Sequence, residues 1–142
     1  MKADNSVFYK STRDSSLHVS ASQAVLQGLS HDGGLFIPDH IPELDKTMTE
    51  LSGMEYNEVA YEVMKLFLTD YSEADLKECI SKAYAREHFD TRPIVPLAEV
   101  GDAYYIELFH GPTIAFKDMA LQILPYLMTT AARMNNEKDE IV

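Results

Sequence analysis

A chain of 142 residues, 46% hydrophobic and 25% charged, is long enough for one domain with its own core and too apolar to stay disordered. Its 23 acidic residues against 12 lysines and arginines give a net charge of -11, which argues against nucleic acid or a membrane surface as partner. A single cysteine, Cys79, excludes an internal disulfide framework, no CxxC or HExxH spacing offers a metal site, and no apolar run approaches the ~18 residues of a membrane helix. A cytoplasmic protein is expected.

The first third of the chain is irregular. Ser20-Ala21-Ser22-Gln23 fits a capping box, and Ala21, Ala24, Val25 and Leu29 supply one apolar face, which predicts a short helix from about 21 to 29. His31-Asp32-Gly33-Gly34 is read as its stop, and Leu35-Phe36-Ile37 as a short strand closed by Pro38 and Pro42. Val59, Val63 and Phe67, with Ala60, Met64 and Leu68, make two i,i+4 rows on a helix from about Tyr56 to Leu68. Ser72-Glu73-Ala74-Asp75 opens another helix with Leu76, Ile80, Ala83 and Tyr84 inward and Cys79 as a small core residue. Between Glu50 and Asp90 there are ten acids and four bases, read as a solvated helical face because apolar residues run through it.

Arg92-Pro93-Ile94-Val95-Pro96 breaks any helix, and a subdomain boundary is placed near it. Leu97 to Val100 and Ala103 to Leu108, joined at Gly101-Asp102, read as a β-hairpin. After His110-Gly111-Pro112-Thr113, a long helix is predicted from about Ala115 to Met134, kinked or cut short at Pro125. Its broad apolar stripe, from Phe116 and Met119 to Ala131 and Ala132, predicts burial against a second copy of the chain or poor order. Ile141 and Val142, after a polar turn, resemble the first step of a buried strand in a βαβ unit, so the chain reads as cut short.

No GxGxxG or GxxxxGK[ST] cradle exists, and the five histidines show no i,i+4 pairing. The segment from Tyr105 to Asp118 stands apart. A strand runs into a Gly-Pro turn, and Lys117 follows at the first turn of a helix beside Phe116, Met119 and Ala120. Positive charge is disfavoured at a helix N-terminus and in apolar surroundings, so a fraction of neutral amine is expected, the nucleophile for a Schiff base. The same residues also fit a surface lysine whose stem lies along apolar side chains.

Three stretches decide between these readings: Tyr9-Lys10-Ser11-Thr12-Arg13, Asp32-Gly33-Gly34-Leu35-Phe36-Ile37-Pro38, and Glu107-Leu108-Phe109-His110-Gly111-Pro112-Thr113 continued by Ala115-Phe116-Lys117-Asp118. With them the whole chain resembles the N-terminal part of microbial threonine synthases. The resemblance implies an α/β protein: a small N-terminal subdomain over residues 1–92, then, over 93–142, the incomplete start of a fold-type-II catalytic domain like that of tryptophan synthase β. It implies a pyridoxal 5'-phosphate lyase that converts O-phospho-L-homoserine and water to L-threonine and phosphate. Lys117 matches the lysine that holds the cofactor as an aldimine, Phe116 lies at the cofactor, and His110 and Thr113 shape the substrate pocket. No metal is implied. The family's phosphate cradle lies downstream of the lysine, so this chain alone is expected to be inactive. Two rival readings are a related phospholyase that makes a 2-oxo acid and a non-catalytic acidic interaction module.

Overall fold

The computed structural model describes residues 6–138. Two small antiparallel sheets flank a helical core. Strand β1 (Tyr9–Ser11) pairs with β2 (Phe36–Pro38), Lys10 opposite Ile37, and between them lies helix α1 (Ala21–Gln27). Helices α2 (Met48–Ser52), α3 (Tyr56–Phe67) and α4 (Glu73–Ala83) follow, then a 3-10 turn at Arg86–His88. Strands β3 (Leu97–Val100) and β4 (Ala103–Ile106) form the expected hairpin, Leu97 opposite Ile106. Helices α5 (Asp118–Leu121) and α6 (Leu124–Met134) close the described chain.

The helix starts follow the capping chemistry. Ser20 accepts from the Gln23 N–H while Gln23 Oε1 takes the Ser20 N–H at 2.9 Å, a complete capping box on α1. At α4 only half of the box forms: Ser72 Oγ accepts from the Asp75 N–H, but the Asp75 carboxylate takes the Ser72 hydroxyl instead of its backbone N–H. Helix α1 ends earlier than expected, at Gln27. Gly28, at φ 69°, ends it, so the Asp-Gly-Gly turn is free for another role. Thr47 and Glu50 form a further complete box on α2, a helix whose five residues show no usable apolar period.

The predicted long helix after Ala115 is two helices. Pro125 lies in the first turn of α6, where its missing N–H is no loss, so the proline starts a helix rather than kinking one. The expected apolar stripe divides accordingly. Ile123, Leu127 and Ala131 are buried, α6 packing against α1 and α4 of the same chain, whereas Phe116, Leu121 and Leu124 stay exposed. Ile141 and Val142, and the strand expected there, lie outside the described residues.

One core unites the helices, built from Ala21 of α1, Leu76, Cys79, Ile80 and Ala83 of α4, Tyr71, Tyr84 and Phe89 beside them, and the three buried residues at α6. Cys79 is buried with its sulfur 3.5 Å from Thr130 Oγ1, as a core residue should be. Two tyrosines satisfy their hydroxyls across the core. Tyr71 donates to the Leu127 carbonyl at 3.1 Å and Tyr84 to the Met119 carbonyl at 2.8 Å. Burial raises both phenols well above their ordinary range, so both remain protonated donors.

Leu76 and Ala131 test this core from opposite sides. Leu76→Ala removes a side chain only 1% exposed and should cost about 2–5 kcal/mol of unfolding free energy. Ala131→Leu inserts volume where there is none to spare and should cost about 1–3 kcal/mol. Urea denaturation followed by circular dichroism measures both; a change below the lower bound in either would contradict the packing described.

Candidate active-site loop

The first two motifs form one physical unit. Asp32 accepts the Ser11 hydroxyl at 2.8 Å and the Gly34 N–H at 2.8 Å, while its backbone carbonyl takes the Arg13 guanidinium at 2.9 Å. Thr12 exchanges two bonds with Leu35, its N–H to the carbonyl and its Oγ1 from the N–H. The Gly34 N–H and the Ser11 hydroxyl hold the Asp32 carboxyl below the usual carboxylate range, although its desolvation opposes this. A Cβ at Gly34 would stand 2.1 Å from Ser11 Oγ, so only glycine fits. Arg13 is therefore engaged in holding the turn.

The third motif forms the loop between β4 and α5. At its start, His110 lies between two carboxylates: Nδ1 is 2.7 Å from Asp90 Oδ1 and Nε2 is 2.9 Å from Glu107 Oε2. Both nitrogens face acceptors, which favours the imidazolium. The His110 pKa is raised, first by the bond to Glu107, then by Asp90, against desolvation. The Asp90 N–H also donates to the His110 carbonyl, and Glu107 N–H to Pro96, so the two ends of the hairpin are tied together.

At the loop's far end Asp118 is 1% exposed. Its Oδ2 takes the Thr113 N–H at 2.8 Å and its Oδ1 the Thr113 hydroxyl. The Thr113 hydroxyl is the largest cause holding this carboxyl below its ordinary range, with the Thr113, Ala115 and Ile114 N–H groups adding to it and desolvation opposing. Ile114 adopts φ 61°, a conformation a β-branched residue rarely takes. Its N–H bonds to Gly111.

All four residues singled out from the sequence lie on this loop, but they do not converge on one point. Thr113 turns to Asp118, and His110 to Asp90 and Glu107. Lys117 and Phe116 are exposed, Phe116 by 66%. Lys117 precedes α5 rather than lying in its first turn, and the apolar enclosure expected of Phe116, Met119 and Ala120 is not closed over its amine by the described residues. Sequence reasoning missed Asp118 as a working group; the signal was an acid at a helix start, close behind the Gly-Pro turn.

The amine nevertheless has one property that suits an aldehyde. Lys46, Lys65, Lys77 and Lys82 each pair with a glutamate, at 2.6 to 3.7 Å, whereas Lys117, like Lys10, has no such partner among the described residues. A primary amine free of a carboxylate can attack a carbonyl without first being drawn out of an ion pair.

A family model described as the N terminus of threonine synthase matches residues 8–84, from β1 to the end of α4. The chain belongs to the threonine synthase family. The threonine synthase of Schizosaccharomyces pombe is 41% identical over 139 residues, covering 94% of this chain and 27% of that one. The crystal structure of PLP-bound threonine synthase from Brucella melitensis matches with a TM-score of 0.82 at 34% identity, covering 94% of this chain and 29% of that one. The yeast threonine synthase structure gives a TM-score of 0.82 at 35% identity, covering 96% and 28%. The chain thus spans under a third of the length of these threonine synthases.

Gly34→Ala should destabilise the β1–β2 unit, detected as faster amide exchange at Leu35 and Thr12, whereas Gly53→Ala, where a Cβ meets only one carbonyl at 3.6 Å, should not. The His110 contribution to stability, with its pKa raised above 6.5, is complete below pH 6.5 and lost as pH rises through the higher folded value. The wild-type urea midpoint should therefore fall between about pH 6 and 9 relative to that of His110→Ala; parallel profiles would contradict the clamp. Asp118 and Asp32 act in the opposite sense, their contributions being lost as pH falls below the carboxylate range.

Proposed function

We propose that the chain provides the N-terminal segment and the cofactor lysine of a threonine synthase, which converts O-phospho-L-homoserine and water to L-threonine and phosphate. The observation that carries this reading is Lys117, an amine with no carboxylate partner among the described residues, on a loop fastened at both ends, in a chain whose relatives are threonine synthases. Pyridoxal 5'-phosphate, when bound, supplies an electron sink that makes protons on the carbons next to the amino group removable. Lys117 Nζ is the group that would hold the cofactor covalently and, once released, carry protons at the substrate's α and β carbons. Phe116 offers an apolar face beside it. Thr113 and His110 set the loop's shape and, through it, the wall of the substrate pocket.

In this reading residues 1–92 form the N-terminal subdomain and 93–142 open the fold-type-II catalytic domain. The exposed Phe116, Leu121 and Leu124, and Leu97, Tyr104 and Ile106 on one face of the hairpin, are apolar side chains through which the isolated chain would self-associate. Among the described residues no helix is long and apolar enough to cross a membrane, and a cytoplasmic location is part of the proposal.

A chimera tests the function. Residues 1–142 replace the matching segment of the Schizosaccharomyces pombe enzyme, and L-threonine and phosphate are measured with O-phospho-L-homoserine as substrate. Turnover should survive, and Lys117→Ala should lower it by about 10²-fold or more. A chimera that releases phosphate but accumulates a 2-oxo acid would favour the phospholyase reading. An active chimera unaffected by Lys117→Ala would remove the lysine from the mechanism.

A further inference from the structure

The Asp118 carboxylate occupies an unusual position for this molecule. In a chain of net charge -11, most acids lie at the surface, and several hold lysines. Asp118 is instead buried, although it immediately follows the exposed Lys117. Successive residues entering a helix turn by about 100°, so an inward Asp118 requires Lys117 to point elsewhere.

What keeps Asp118 inward is the loop itself. Thr113 supplies two donors to its two oxygens, one from the backbone and one from the hydroxyl. Gly111 gives the carboxylate room: a Cβ there would stand 2.6 Å from both Asp118 Cβ and Oδ2. The intervening turn is held with Ile114 at a positive φ, a conformation that persists only where surrounding bonds impose it. These three features serve one arrangement.

We infer that Asp118 is the positioning residue of the lysine loop: closed on Thr113 and packed against Gly111, its carboxylate fixes the turn and at the same time is withheld from Lys117. The inference rests on reading Lys117 as the cofactor lysine and adds to it the group that keeps the amine presented and unpaired. An amide is a poorer substitute. Asp118→Asn can keep its oxygen on the Thr113 N–H only by turning its NH2 to the Thr113 hydroxyl, which must then accept instead of donate, and the charge that strengthens both bonds is gone. Asp118→Glu would push the carboxylate one methylene further, into the space Gly111 leaves just large enough.

The test uses the whole chain, with the wild type and Asp118→Asn, Asp118→Glu and Thr113→Ser compared after circular dichroism has established equal helix content. Amide exchange at Thr113 is read by NMR. Pyridoxal 5'-phosphate with sodium borohydride is the reactivity probe, scored by peptide mapping as the ratio of label on Lys117 to label on the glutamate-paired Lys82. Loss of the charge-assisted bonds in Asp118→Asn should speed Thr113 exchange by about tenfold or more. The label ratio should fall severalfold. Asp118→Glu should show the same losses, and Thr113→Ser, which keeps both donors, should match the wild type in both readouts. A variant that melts earlier but keeps the wild-type label ratio would mark Asp118 as merely structural and overturn the inference. If the wild type shows no preference for Lys117 over Lys82, the reading of Lys117 as cofactor lysine fails. Thr113 exchange then decides alone: unchanged in Asp118→Asn it overturns the fixing of the turn, accelerated it upholds it.

Discussion

The helices of this chain meet at a residue no larger than alanine. Ala131 is completely buried where α6 packs on α1 and α4, and the close approach this permits is what joins the end of the described chain to its beginning. Leu127 and Ile123 fill the same core, and the Tyr71 hydroxyl caps the Leu127 carbonyl inside it. Asn135, just past α6, donates to Ser22 on α1 at 2.9 Å. The lysine loop is carried by this contact, because α5 leads directly into α6 and Tyr84 holds the Met119 carbonyl from the other side. The loop is therefore mounted on the helical core at one end and on the β3–β4 hairpin at the other.

Acids perform the fastening at each of the three motifs. Asp32 joins the first two motifs, Glu107 and Asp90 hold His110, and Asp118 holds Thr113. Each accepts from nearby donors that keep it ionised or favour the charge of its partner, and at the buried Asp118 these directed bonds offset the cost of removing charge from water. The excess of acids in the composition points only to a solvated surface. A small subset of them organises the loops.

Periodicity and capping make most helices legible, because the bonds that start them lie within three residues of each other, as with Ser20 and Gln23. The hairpin is readable for the same reason. Helix α2 is not, being too short for a period, and Pro125 misleads because a proline looks the same in sequence whether it bends a helix or begins one. Lys117 is singled out in the sequence through its motif alone. The bonds that build the surrounding site are harder to see: Ser11 and Asp32 are 21 residues apart and Asp90 and His110 are 20 apart, distances that no local pattern encodes. Asp118 is adjacent to the lysine yet reads only as a favourable helix-terminal charge, since its burial depends on the fold of the whole loop.

The contact between Ser22 and Asn135 also has a temporal side. Chains are made from the N-terminus at roughly 5–20 residues per second, so α1 is synthesised roughly five to twenty seconds before α6 can reach it. For that interval Ala21, and for about the second half of it Leu76 and Ile80, lack the side chains of Leu127 and Ala131 that complete their core. On the ribosome the core that α1 and α4 share cannot be completed until the helix encoded near residue 130 has emerged.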